Sequence, residues 1–98
     1  MINVLVLFPI SADPKVLDDF LSNTAIPFLK QARGLRSLKI SSGDLMSGGP
    51  PPYSKVVEAS FDSLDDWMAL GESPGVQVLV DYIQSAGALM LGYEVNEQ

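Results

Sequence analysis

The sequence predicts an α+β domain of the ferredoxin-like type, a split βαβ arrangement with a four-stranded antiparallel sheet and its helices on one face. Two observations carry that prediction. Apolar residues change between a period of two and a period near 3.6 in the order β-α-β-β-α-α-β. The chain is 98 residues long, with 47% apolar side chains, which suits one domain over 1–98 with a single modest core.

Residues 2–8 form a short, almost continuous apolar run that ends at Pro9, as expected of a strand covered on both faces. Asp13 before Pro14 is an N-cap followed by proline at the first helical position, and Asp18 and Asp19 extend the negative bias. Val16, Leu17, Phe20, Leu21 and Thr24 keep a helical stripe. Pro27 has no N–H to give the preceding turn and is expected to kink or restart the helix. Lys30 and Arg33 suit the carboxyl end of its dipole, and Gly34 is a left-handed stop.

Residues 35–42 alternate, with Leu38 and Ile40 on one face and Ser37, Lys39 and Ser41 on the other. The Gly/Pro-rich stretch 43–52 is too long for a tight hairpin and reads as a connector or a lid. Residues 53–61 are the third strand, with Val57, Ala59 and Phe61 opposite Val56, Glu58 and Ser60. Ser63, three residues before Asp66, is a short-armed capping box opening a brief helix that Gly71 closes. Ser73-Pro74 is expected to start the next helix, with Val76, Leu79, Val80 and Ile83 on one face and Gly87 at its end. Residues 88–95 form the last strand.

Composition excludes several chemistries. The chain has neither Cys nor His, so disulfides, thiolate nucleophiles, imidazole bases and thiolate or imidazole metal sites are all absent. No metal and no cofactor is expected. With 6 basic against 12 acidic residues the net charge is −6, which argues against nucleic acid and anionic membrane surfaces as partners. No run reaches the roughly 18 apolar residues of a membrane span. The opening MINVLVLFP lacks a basic leader and a cleavage site, and the expected location is the cytoplasm.

The helix-free side of the sheet raises a demand of its own. The first strand carries Ile2, Val4, Val6 and Phe8 on one face but Leu5 and Leu7 on the other, and the last carries Leu89, Leu91 and Tyr93 against Ala88 and Met90. Four strands of about five residues give a face of roughly 320 Å² in projection. Its accessible area matches or exceeds the largest apolar patch of an ordinary monomer. A second copy stacked sheet to sheet would cover it, so a homodimer is expected. The competing reading is that Lys39, Lys55, Glu58 and Glu94 keep the face wet.

The ordered set MINVLVLFP, IPFL with Gly34-Leu35, PPY, VVEASFDSLDDW and SPGVQVLVDY resembles the EthD family of the dimeric α+β barrel superfamily over nearly the whole chain. The resemblance implies a homodimer with an apolar cavity between sheet and helix. Relatives are linked to ether breakdown and to cofactor-independent dehydration or decarboxylation of polyketide-like compounds. The family pattern has tyrosines near the middle of the first helix and a histidine just before the proline. Aligned on Ile26-Pro27, those positions here are Phe20, Leu21 and Ala25, so a histidine-dependent activity does not carry over.

Phe20, Ala25, Tyr53, Val56, Glu58 and Ser60 are the expected ligand-contacting residues, and Glu58 is the one candidate acid or base. Three functions fit. A small apolar or aromatic compound binds in the cavity of a non-catalytic accessory dimer, or of one degenerate from an enzyme. Alternatively, Glu58 serves a cofactor-independent dehydratase, decarboxylase or cyclase, which requires a closed cavity of a few hundred Å³ containing Glu58 without a cationic partner. Last, the domain only associates and side chains fill its cavity. The adjacent pairs Asp18-Asp19 and Asp65-Asp66 read as dipole compensation in first turns, and Gly48-Gly49 lacks the rest of a phosphate loop.

Overall fold

In the computed structural model, which describes residues 1–42 and 52–96, the elements follow the expected order. Strands β1 (Ile2–Pro9), β2 (Leu35–Ser42), β3 (Tyr53–Phe61) and β4 (Leu89–Glu94) form one sheet in the order β2-β3-β1-β4, with every neighbouring pair antiparallel. Helices α1 (Pro14–Phe20), α2 (Ile26–Lys30), α3 (Leu64–Gly71) and α4 (Val76–Ser85) cover one face. The result is a two-layer slab of 38 × 36 × 18 Å. The connector 43–51, with Met46 and the Gly48-Gly49 pair, lies outside the described residues.

Alternation along each strand sends one set of side chains into the slab. Val4 and Phe8 from β1 and Val57, Ala59 and Phe61 from β3 are buried beneath Leu17, Leu21, Ala25, Leu70 and Leu79 of the helical layer. Their burial is the main stabilising term, at about 25 cal/mol per Å² of apolar surface removed from water.

The helix restarts at Pro27 as expected, with the proline in the first turn of α2. The backbone stays right-handed from Phe20 through Ile26, and Leu21–Ala25 widens into a π turn in which the Ile26 N–H reaches back to the Leu21 carbonyl. The wider turn accommodates a residue that can neither donate nor tolerate a close preceding carbonyl. Asp18 and Asp19 lie beyond the first turn of α1, and Asp18 instead pairs with Lys55 of β3 at 3.3 Å.

Two other terminal signals act differently from expectation. Ser63 caps α3 by accepting from the Asp66 N–H at 3.3 Å, but its hydroxyl also donates to the Asp66 carboxylate at 3.0 Å, replacing the return bond to backbone of a full capping box. Helix α4 starts after Gly75, at φ +91°, two residues later than Ser73-Pro74 suggests. Its end follows the sequence. Gly87 at φ +73° lets its own N–H reach Gln84 and the Ala88 N–H reach Ile83, both at 3.1 Å, which is the paired closure of a Schellman motif.

Register also corrects the charge count of the helix-free face. Lys55 stands opposite buried Phe8 and Glu94 opposite Ile2, so both belong to the helix side. Of the four charges expected to wet the free face, only Lys39 and Glu58 remain there, opposite each other on β2 and β3.

Candidate functional site

The free face divides in two. Across β1 and β4 it presents Leu5, Leu7, Leu89, Leu91 and Tyr93, with Leu91 directly opposite Leu5 and Leu89 opposite Leu7. Leu89, Leu91 and Tyr93 are 44–46% exposed, a high fraction for three large side chains in register on one strand. Across β3 and β2 it presents Ser60, Glu58, Lys39 and Ser41.

At the seam lies a polar network. Asn3 of β1 donates from Nδ2 to Glu58 Oε1 at 3.3 Å and accepts at Oδ1 from the Ser60 hydroxyl at 2.7 Å. The two bonds fix the amide's orientation and hold the carboxylate in place. Arg36 pairs with Asp62, Lys55 with Asp18 and Arg33 with Asp66, and among the described residues Glu58 has no ion pair. Glu58 is thus an oriented carboxylate, able to accept a hydrogen bond or a proton from a molecule lying on the sheet.

The structure separates the six expected ligand residues. Val56, Glu58 and Ser60 face away from the helices, whereas Phe20 and Ala25 belong to the helical layer itself, Ala25 buried with Phe8, Leu17 and Leu21. Tyr53 stands opposite Pro9 at the start of β3. The sheet itself therefore lies between the two groups.

Beneath the helices is an apolar cavity of about 90 Å³. Val4, Val6, Val57 and Ala59 form its floor, Leu29, Trp67, Leu70, Val76, Leu79, Val80 and Ile83 its roof, and Met90 one wall. Glu58 does not reach it. The volume falls below the roughly 150 Å³ of an engineered cavity that takes benzene. Met90 is 41% exposed and sits on edge strand β4, so an unbranched, flexible side chain stands between the cavity and solvent.

Two participants escaped the sequence reading. Asn3 had a signal, as the lone amide in an apolar strand. Tyr82 of α4 had none beyond its place in a helical pattern. Its ring stacks on Phe20 at 4.1 Å between centroids and leans on Phe8 at 6.1 Å. Burial, and secondarily the Asp13 charge, raise its phenol above the usual 10.0. A pKa raised on folding stabilises the fold below the unfolded value, and that stability is lost as pH rises through the folded one. The wild-type protein should therefore lose thermal stability from about pH 10 upward relative to Tyr82→Phe. Parallel melting curves for the two proteins from pH 9 to pH 11 would contradict this (roughly one unit either side of the unperturbed phenol).

The fold is shared with proteins of several activities. An EthD family protein from Bacillus halodurans superposes with a TM-score of 0.80 at 19% identity, over 98% of this chain and 99% of that one. SnoaB, a cofactor-independent oxygenase from Streptomyces nogalater, gives 0.79 at 12% identity over 99% and 94%. A dimeric ferredoxin-like protein of unknown function from Jannaschia sp. gives 0.74 at 16% identity over 96% and 98%. No protein-family model and no curated protein matches the chain. No helix among the described residues is long and apolar enough to cross a membrane. The ferredoxin-like α+β fold, and with it the resemblance to the EthD family at the level of architecture, follows from these likenesses.

Proposed function

We propose that the protein is a homodimer paired through its helix-free sheet faces, which binds a small apolar or aromatic compound as an accessory, non-catalytic member of its fold. The exposed Leu89, Leu91 and Tyr93 of β4, beside half-buried Leu5 and Leu7 of β1, carry the reading. Two such faces in contact would cover an area typical of stable interfaces, about 1,600 Å² in total. The dimeric ferredoxin-like neighbour supports the arrangement. The ligand enters the cavity beneath α3 and α4 when Met90 swings aside, enlarging a space that is small at rest.

Sedimentation tests the pairing. The wild type should run at twice the 10.5 kDa chain mass at micromolar concentration. Leu91→Glu, at an exposed position and harmless to the single chain, should weaken association by a hundredfold or more, as roughly expected for carboxylates buried without partners. A wild-type monomer at that concentration would sink the reading. Trp67, the single tryptophan, lines the cavity, so quenching of its emission by toluene reports occupancy. Met90→Ala should tighten that binding.

One observation favours a second reading, a cofactor-independent enzyme with Glu58 as acid or base. The carboxylate is positioned by Asn3 and carries no cation among the described residues. Once a substrate is found, Glu58→Gln turning it over at the original rate would remove that role.

A further inference from the structure

A second cleft, on the helical layer, is remote from the sheet's free face. It has a volume of about 310 Å³ and lies between the start of α1 and the end of α4, lined by Ser11, Ala12, Asp13, Val16, Tyr82, Ser85 and Ala86. We propose that this cleft binds a small hydroxy-carbonyl compound, whose carbonyl oxygen accepts from the Tyr82 hydroxyl while its own hydroxyl donates to the Asp13 carboxylate.

Both groups are held in place before any ligand arrives. Asp13 Oδ1 accepts from the N–H of Lys15 at 2.9 Å and of Val16 at 3.2 Å, which fixes the carboxylate and leaves Oδ2 for another donor. The Tyr82 ring is clamped by its stack on Phe20 and its contact with Phe8. The hydrogen bonds of the described residues include none to its hydroxyl, while the Ser85 hydroxyl is turned onto the Tyr82 carbonyl at 2.9 Å. A phenol titrates near 10 even when free, and this one lies higher, so it is protonated across the physiological range and acts as a donor.

Chemistry then selects the ligand. The phenol offers a hydrogen and the carboxylate only accepts one, so the ligand must carry an acceptor and a donor together. A simple amine satisfies Asp13 and wastes the phenol. An anion satisfies the phenol and meets the carboxylate's charge. A neutral hydroxy-ketone answers both, and in a mostly polar cleft Ala12, Val16 and Ala86 leave only a small apolar patch, enough for a short carbon skeleton.

Hydroxyacetone is the probe, titrated into the ¹⁵N-labelled full chain and followed by amide shifts. Shifts should concentrate at Ser11, Ala12, Asp13, Ser85 and Ala86. Tyr82→Phe keeps the aromatic stack and Asp13→Asn keeps a capping oxygen, so both variants retain the fold, which their unbound spectra check. Each should weaken hydroxyacetone about tenfold, the effect of one lost hydrogen bond. Butanone, which lacks the hydroxyl, should bind more weakly than hydroxyacetone and be indifferent to Asp13→Asn. Shifts absent or scattered outside the cleft, or weakening by only one variant or neither, overturn the two-point site.

Discussion

Phe61→Ala is expected to lower folding stability by about 3–5 kcal/mol, the usual cost of emptying a buried phenylalanine site. Phe61 is fully buried and packs with Val4, Ala59, Leu70 and Trp67, whose ring centroid lies 5.6 Å away. It also sits at a crossing of the sheet, opposite Ile2 of β1 and Leu35 of β2. Flanking strands hold its backbone on both sides, so the site cannot readily collapse and a void remains. Against a total stability of about 5–15 kcal/mol for such domains, the loss approaches unfolding. Urea titration should show a lower midpoint at unchanged slope, and Phe61→Leu should recover most of it. A loss below about 1 kcal/mol would mean that the core is not packed as described.

Gly34→Ala is expected to cost about 2–3 kcal/mol, from two separable sources. Gly34 adopts φ +78°, which penalises any Cβ. An added Cβ would also run into the Asp66 side chain, carboxylate first. Asp66 is only 14% exposed, accepts from Arg33 Nε at 2.8 Å and completes the Ser63 cap, so displacing it loosens the start of α3. In an Asp66→Ala background the carboxylate part of the clash is gone and only the contact with the Cβ at 2.8 Å remains. The same substitution should then cost less, nearer the backbone term of about 1–2 kcal/mol. Thermal or chemical denaturation of the four proteins of this cycle decides it. Equal costs in both backgrounds would show that the carboxylate does not constrain the glycine.

The fold was legible because each element announces itself locally. Alternation in 35–42 and 53–61 fixed β2 and β3 to the residue, and Gly87 marked the end of α4. The errors arose where a local rule met tertiary context. Pro27 restarts the helix in the first turn of α2, as its missing donor predicts. The π turn that joins α1 to α2, however, has no local signal and goes with the packing of Leu21 and Ala25 against the sheet. Lys55 and Glu94 lie on the helix side and not on the free face, because the side a strand residue occupies depends on pairing register, which no single strand reveals.

The candidate site was less legible. Glu58 was found from its place among apolar neighbours, but its link through Asn3 to Ser60 joins residues 57 positions apart in the chain. Tyr82 was hidden for a similar reason, since its stacking partner lies on another helix.

The two borders of the sheet are guarded unequally. On one side β2 carries Arg36 and Lys39, the charges that discourage another backbone from docking. On the other, β4 carries no cation, only Glu94 at its end, and its unpaired amides and carbonyls run beside Leu89, Met90 and Leu91. Lateral accretion can thus begin at β4 but finds no second adhesive rim from which to continue, so misassembly of this chain should stall at pairs and not grow into fibrils.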